Sequence, residues 1–177
     1  QQIHSVFLWQ GKDKKAYAVM TDDEEETDVD IVDISDPRNP VLIAEYDLDG
    51  VLAPQIVQDD LGRGGTFLHD MIVKKIKGRY IMLVSYWDGG YVKLDVTNPT
   101  APVFLADSDF ANPDELLEER TGLTETPEGN AHQAEFNKND KYIVAADEDF
   151  SPIDGEFSDA VTGTAFGAGS GSDTPLP

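Results

Sequence analysis

The chain has 177 residues, 40% of them hydrophobic, which is enough for one globular domain with its own core. Its 13 basic residues against 35 acidic ones give a formal charge of -22, which repels nucleic acid and anionic membranes and excludes both as expected partners. The absence of cysteine excludes disulfides and thiol chemistry, and no apolar run approaches the roughly 18 residues that would insert into a bilayer.

A unit that begins at a histidine occurs three times along the chain. The histidines His4, His69 and His132 recur at intervals of 65 and 63 residues. After each histidine the chain has a short apolar strand, a polar turn and a second apolar strand led by a tyrosine, the second strands being 16–20, 80–84 and 142–146. Self-similarity at a fixed period predicts a repeat architecture.

The first two units continue into a second shared segment. VDIVDISDPRNP at 29–40 and YVKLDVTNPTAP at 91–102 each combine a strand rich in β-branched residues with a polar corner before proline. A short polar side chain before proline favours a turn, and a proline at the start of the next strand tolerates its missing N–H. Each unit is therefore predicted to be four short antiparallel strands, like a blade of a β-propeller.

These segments resemble the LVIVD-repeat β-propellers, whose blades carry a motif like L-V-I-V-D-I-S-D-P-x-x-P. VDIVDISDPRNPV matches this motif closely, and YVKLDVTNPTAPV matches it more loosely. The resemblance covers residues 3–110 and 130–150, roughly two thirds of the chain. It implies a secreted or cell-surface propeller, and it leaves the biochemical role open because one fold hosts many functions.

The predicted fold class is all-β, with four-stranded antiparallel propeller blades that are incomplete in this chain. Residues 1–63 are predicted to form a first blade, with strands between 3 and 48 and then a loop. Residues 64–129 are predicted to form a second blade, with an inserted loop at 111–129 that contains a short helix near 112–121. Residues 130–152 are predicted to start a third blade, and 153–177 to be a flexible Gly/Ser-rich linker or insertion. Propellers close with about four to eight blades, so the remaining blades or a partner chain are expected to cover the open sheets. A small closed or sandwich-like domain complete in 177 residues is the alternative.

The three in-phase histidines are the first candidates for a functional site. The innermost strand of each propeller blade lines a central channel, so His4, His69 and His132 are expected to face one axis. Imidazoles that converge in this way could bind a transition metal. The alternative is that each histidine forms hydrogen bonds within its own blade.

Acidic loops after the second strands are the other candidates. Loop carboxylates suit Ca²⁺, and Asp147 and Asp149 are predicted as metal ligands because they lie closest to the repeat framework. The alternative is a solvated loop, since no D-x-[DN]-x-[DN]-G pattern is present. A ligand-binding role is predicted for four residues at the ends of second strands: Asp22, Asp23, Trp87 and Asp88. Ca²⁺ or a transition metal is the predicted cofactor, and no other cofactor is expected.

Two functions of different class follow from these features. The first is a noncatalytic extracellular or cell-surface scaffold or binding module whose long loops engage a protein or a glycan. The second is a metal-dependent hydrolase with its histidine cluster in the channel. The first is favoured because no activated nucleophile and no acid–base pair can be named in the sequence.

Overall fold

The computed structural model describes residues 3–22, 29–48, 50, 67–87, 89–108, 131–147 and 163–167. The strands are β1 (Ile3–Gln10), β2 (Ala16–Asp22), β3 (Val29–Asp33), β4 (Val41–Tyr46), β5 (Phe67–Ile76), β6 (Arg79–Trp87), β7 (Gly90–Asp95), β8 (Val103–Asp107), β9 (Ala131–Phe136), β10 (Tyr142–Asp147) and β11 (Gly163–Gly167). The prediction of an all-β fold is confirmed. No helix in these ranges is long and apolar enough to cross a membrane.

The strands form three antiparallel sheets. The first sheet has the order β1-β2-β3-β4, the second has β5-β6-β7-β8, and the third has β9-β10-β11. The first two are propeller blades with the predicted up-and-down order of four strands, and the third is part of a blade. The predicted helix near 112–121 lies outside the described residues.

The third sheet includes a strand from the C-terminal segment. Residues 153–177 are predicted as a flexible linker or insertion, yet five of them form β11 and pair with β10 from Tyr142↔Gly167 to Ala146↔Gly163. The composition GTAFG does not indicate a strand, so its pairing with an apolar neighbour decides its conformation. The proposed domain boundaries themselves stay a prediction.

Local turn chemistry sets the hairpins that open each blade. In the second sheet β5 and β6 are joined by Lys77 and Gly78 alone, and both have positive φ, 50° and 86°. Two positive-φ residues make the kind of turn whose twist matches that of a hairpin. Gly78 adopts this conformation without the steric cost that a Cβ would bring.

The aspartate that ends the third strand of each complete blade organises the corner that follows. In the second sheet Asp95 Oδ1 accepts a hydrogen bond from Thr97 N at 2.9 Å, and Arg79 pairs with the same carboxylate at 2.6 Å. Thr97 Oγ1 in turn accepts from the backbone N–H of Tyr80 at 2.9 Å. The corner is thus bonded to the start of β6.

The corner of the first sheet has the same three contacts, made by chemically similar residues. Asp33 accepts from Ser35 N at 3.0 Å and pairs with Lys15 at 2.7 Å, while Ser35 Oγ accepts from Ala16 N at 3.1 Å. Lys15 therefore corresponds to Arg79. In this register Tyr17 corresponds to Ile81, since each lies opposite the corner aspartate, so the tyrosines of the two second strands are one position out of step.

The sheets pack face to face with two hydrophobic cores between them. The core between the first and second sheets contains Trp9, Tyr17, Val19, Val29, Ile31, Ala44, Leu48, Leu68, Met71, Val73, Tyr80, Met82, Val84, Tyr86, Val92, Leu94 and Val96. The core between the second and third sheets contains Ile81, Leu83, Tyr91, Ala131, Ala134, Phe136, Ile143 and Ala145. Strand β6 sends alternate side chains into both cores, so the second sheet is buried on both of its faces.

Among the described residues, the first and third sheets each contribute only one face to the two cores. In β1, Phe7 and Trp9 pack into the first core, whereas their neighbours Val6 and Leu8 are 55% and 59% exposed. In β10, Ile143 is buried while the adjacent Val144 is 59% exposed. The stack of sheets therefore ends in two outward faces that carry apolar side chains.

The outward face of the first sheet is equivalent to the face of the second sheet that packs into the first core. One row of paired residues crosses the second sheet as Val73, Met82, Leu94 and Phe104, and all four pack into the first core. The corresponding row of the first sheet is Leu8, Ala18, Val32 and Leu42. None of these four belongs to either core; Leu8 and Leu42 at its ends are exposed, whereas Ala18 and Val32 between them are buried. We call this row the open row.

Candidate functional site

Each of the three histidines lies where the pairing of an innermost strand is irregular. In β5 the register shifts between Leu68 and Asp70, which leaves His69 as the extra residue. His132 has the same position in β9, and His4 lies in the irregular stretch between Ile3 and Val6 of β1. Such β-bulges bend a strand and re-aim a side chain, and they are common beside functional sites.

The innermost strands bring the three imidazoles together, as their spacing predicts. His69 lies between the other two, with its ring centroid 4.5 Å from that of His4 and 4.7 Å from that of His132. His69 is buried, His132 is half-buried and His4 is exposed. These three residues, the histidine cluster, join all three sheets and are open to solvent on the side of His4.

The hydrogen bond of the central histidine crosses between sheets. His69 Nδ1 lies 3.2 Å from the carbonyl oxygen of His132. A carbonyl oxygen only accepts, so the imidazole of His69 donates from Nδ1 in this contact. The alternative expectation, that each histidine bonds within its own blade, therefore does not describe this contact of His69.

Two aromatic rings of the second sheet pack beside the histidine cluster. The indole of Trp87 has its centroid 5.1 Å from the ring of His69, and Phe67 stacks on Trp87 at 5.4 Å. Phe67 and Trp87 are cross-strand partners, one at the start of β5 and one at the end of β6. They form an apolar wall that fixes the position of His69.

The structure describes only some of the predicted carboxylate ligands. Asp22 lies opposite Ile3 in the β1–β2 register, and Asp147 lies opposite Ala131 in the β9–β10 register, so the backbones of both are beside the strand positions next to a histidine. Asp23, Asp88 and Asp149 lie outside the described residues. The predicted calcium site at 147–149 and the ligand-binding role of residues 22–23 and 87–88 stay predictions.

Across the described ranges, no group of three or more His, Asp or Glu side chains has its donor atoms gathered as a bound metal ion would require. The imidazoles of the histidine cluster contact each other through their rings in this conformation. The site therefore consists of three histidines close together, with an aromatic wall on one side.

Equal spacing was sufficient to predict that the histidines meet, but it did not identify Phe67 as part of the site. Phe67 lies two residues before His69 on the same strand, and its ring centroid is 6.1 Å from that of His69. An aromatic residue at the start of β5 and another at the end of β6 are natural cross-strand partners in a hairpin. That pairing is the signal that the sequence offers for this contact.

Electrostatic interactions of the repeated corner lower the pKa of both aspartates. At Asp33 the hydrogen bond from Lys15, followed by those from Ser35, lowers the pKa from 3.8 to about 2. At Asp95 burial alone would raise the pKa, but the hydrogen bonds from Thr97 and the pairing with Arg79 outweigh it and lower the pKa. The polar residues of the repeated motif thus act within the blade.

This pKa shift predicts a pH dependence of stability. A carboxyl with a lowered pKa in the folded state stabilises the fold above its ordinary pKa of 3.8, and this contribution is lost as the pH falls through about 2. We therefore expect Asp33→Asn to be less stable than the unmodified chain at pH 6, with the difference shrinking between pH 4 and pH 2. Urea unfolding of both proteins across this range measures it. A difference that does not change with pH would show that the ion pair with Lys15 contributes nothing.

The antiparallel four-stranded sheets, packed face to face with their innermost strands adjacent, define a β-propeller-like repeat module. The model of the LVIVD repeat matches residues 22–48, which contain β3 and β4 of the first blade, and residues 75–109, which contain β6, β7 and β8 of the second; both matches include the polar corner. The LVIVD repeat expected from the sequence is thus confirmed in both of these segments. No curated protein and no solved structure matches it.

Proposed function

We propose that this chain is a noncatalytic scaffold or binding module of the propeller type, in which further blades of a larger protein or assembly cover both outward faces. The observation that carries the proposal is the open row, Leu8, Ala18, Val32 and Leu42. Its counterpart in the second sheet is packed against a preceding blade. A preceding blade on the first sheet would pack against the open row in the same way.

The outward face of the third sheet supports the same arrangement. Val144 lies opposite Glu135 and is exposed, whereas its neighbours Ile143 and Ala145 are buried against the second sheet. Tyr142, two residues earlier on the same face of β10, is 53% exposed as well, and adjacent exposed apolar side chains are typical of a surface that another element covers. Both ends of the stack thus have the character of interfaces.

The contacts of the polar residues in the repeated corner support a noncatalytic role. The aspartate and hydroxyl groups of both corners are bonded to the neighbouring strand and to a cation of the same blade, which makes the motif a packing device. The formal charge of -22 favours an extracellular or cell-surface setting, where screening ions are abundant. The loops after the second strands are the surfaces that we propose for a protein or glycan ligand.

A pair of valines tests whether the outward face of the first sheet is covered. Val6 and Val41 are 55% and 56% exposed in this chain, but Val6 lies on the outward face, whereas Val41 lies on the face turned toward the second sheet. In the protein isolated with its assembly, we expect Val6→Asp to lower the free energy of unfolding by more than about 2 kcal/mol, because a charge is buried against the preceding blade.

The control Val41→Asp should change the same free energy by less than about 0.5 kcal/mol. Thermal or urea unfolding of the two variants, each compared with the unmodified assembly, gives the two values. Equal and small effects would mean that nothing covers the outward face and would contradict the proposal.

A further inference from the structure

We propose that the corner between β3 and β4, residues 34–40, is the place where the outermost strand of the covering blade docks, and that this strand presents a tyrosine hydroxyl to the carbonyl oxygen of Arg38. The inference rests on the proposed function, because it names a contact by which a further blade is held on the first sheet. We call residues 34–40 the first corner, and the equivalent residues 96–102 between β7 and β8 the second corner.

The second corner is already covered by the outermost strand of the first sheet. Tyr46, the last residue of β4, donates its hydroxyl to the carbonyl oxygen of Thr100 at 2.9 Å. Val96, the first residue of the second corner, belongs to the core against which Tyr46 packs. The interface between the two complete blades therefore includes the corner of one blade and the outermost strand of the blade before it.

The two corners have the same turn. The N–H of Arg38 donates to Asp36 Oδ1 at 3.1 Å, and the N–H of Thr100 donates to Asn98 Oδ1 at 3.3 Å. The next N–H along the chain bonds to the carbonyl oxygen of Asp36 at 3.0 Å in the first corner and to that of Asn98 at 3.1 Å in the second. Arg38 therefore has the place of Thr100, and its carbonyl oxygen corresponds to the acceptor that Tyr46 uses.

The two corners differ in how far they are buried. Pro102 at the end of the second corner is buried, whereas the equivalent Pro40 is exposed. Val96 is 1% exposed, whereas the equivalent Ile34 is half-buried. Since the corners share their turn and their apolar residue types, the difference comes from the sheet that covers the second corner. The first corner thus extends the open row with apolar surface of the same kind.

This equivalence also specifies the group that the covering strand presents. A blade that covers the open row as the first sheet covers its counterpart places its outermost strand over the first corner. A carbonyl oxygen only accepts, so the strand must supply a donor there. Tyrosine combines a hydroxyl donor with a ring that packs on Pro40 and Leu42. Lysine is disfavoured as the donor because the guanidinium of Arg38 would repel its charge.

The test is photo-cross-linking in the protein isolated with its assembly. The amino acid p-benzoylphenylalanine replaces Arg38, Thr100 or Leu42 in three separate variants, and mass spectrometry identifies the peptide that is joined to each. All three residues are exposed, so their replacement leaves the cores intact. A fourth variant carries the same group at the neighbouring, exposed Asn39, so that the result does not depend on one position.

Each variant has its own expected product. The variant at Thr100 is the positive control and should be joined to β4 beside Tyr46. The variant at Leu42 should be joined to the blade that covers the open row. The variants at Arg38 and Asn39 should be joined to the outermost strand of that same blade, at a tyrosine or next to one.

The outcomes separate this inference from the proposed function. If the variant at Leu42 captures a blade but those at Arg38 and Asn39 capture nothing, or a strand without tyrosine, the inference is wrong and the proposed function stands. If only the variant at Thr100 gives a product, both are wrong. If the variant at Thr100 does not capture β4, the contact on which the inference is based is absent and the inference is wrong.

Discussion

Replacement of Leu94 by alanine should lower the free energy of unfolding of this chain by about 2–5 kcal/mol. Leu94 is completely buried and lies in the row that joins Met82 to Phe104 across the second sheet. Its side chain packs into the core between the first two sheets, so truncation removes apolar contacts and leaves a cavity between two layers that are held by their backbones. Urea unfolding followed by tryptophan fluorescence gives the value.

Leu8→Ala is the matched control for this change. Leu8 belongs to the open row and is 59% exposed, so its truncation should change the free energy of unfolding by less than about 0.5 kcal/mol in this chain. Within an assembly that covers the open row, the cost of Leu8→Ala should rise toward that of Leu94→Ala. A large effect of Leu8→Ala in the separate chain would show that the open row is already packed and would contradict the correspondence between the rows.

The second large loss of stability is expected from a substitution in the third sheet. Ile143→Asp places a carboxylate in the core between the second and third sheets, where Ile143 is completely buried among Leu83, Phe136 and their neighbours. The cost should exceed about 4 kcal/mol because the charge has no partner there. Sheets of a repeat protein contact only their neighbours, so the third sheet should lose its structure while the first two keep theirs.

Hydrogen exchange resolves this outcome strand by strand. We expect the amides of β9 and β10 to lose protection in Ile143→Asp, while those of β2, β3, β6 and β7 keep it. Val144→Asp, one residue along the same strand on the outward face, should leave all of these strands protected. Loss of protection in all three sheets of Ile143→Asp would show that they unfold as one unit and not as separate blades.

The local chemistry of the repeat could be predicted well from the sequence. Within each corner, Asp33 accepts from Ser35 N and Asp95 accepts from Thr97 N, so a short sequence pattern contains this hydrogen bond, although not the bonds of the corner to the preceding strand. The convergence of the histidines could also be predicted, because equal spacing in repeats places equivalent residues on the same side of adjacent blades.

Other features could not be predicted, because they depend on pairing between distant strands. The bulge at His69 exists only in the register of β5 against β6, and residue order does not give that register. The tyrosines of the second strands looked equivalent in the sequence, but the register places Ile81 where the first sheet has Tyr17. Strand β11 has weak propensity and forms by pairing with β10.

The difference in burial between the first and second sheets could not be predicted from the sequence either. The strand sequences of the first and second blades are similarly apolar, and only the stacking of the described sheets shows that the second contributes both faces to the cores and the first contributes one. This difference is the physical basis for the proposal that further blades cover the stack.

The most direct test of that proposal is the mass of the native protein that contains this chain, measured by mass spectrometry under native and denaturing conditions. We expect a native mass well above the 19.4 kDa of these 177 residues. A larger mass under denaturing conditions as well would place the further blades in the same polypeptide, whereas a larger native mass alone would place them in a partner chain. A stable species of 19.4 kDa under both conditions would contradict the proposal, because Leu8 and Leu42 of the open row would then stay exposed in the working protein.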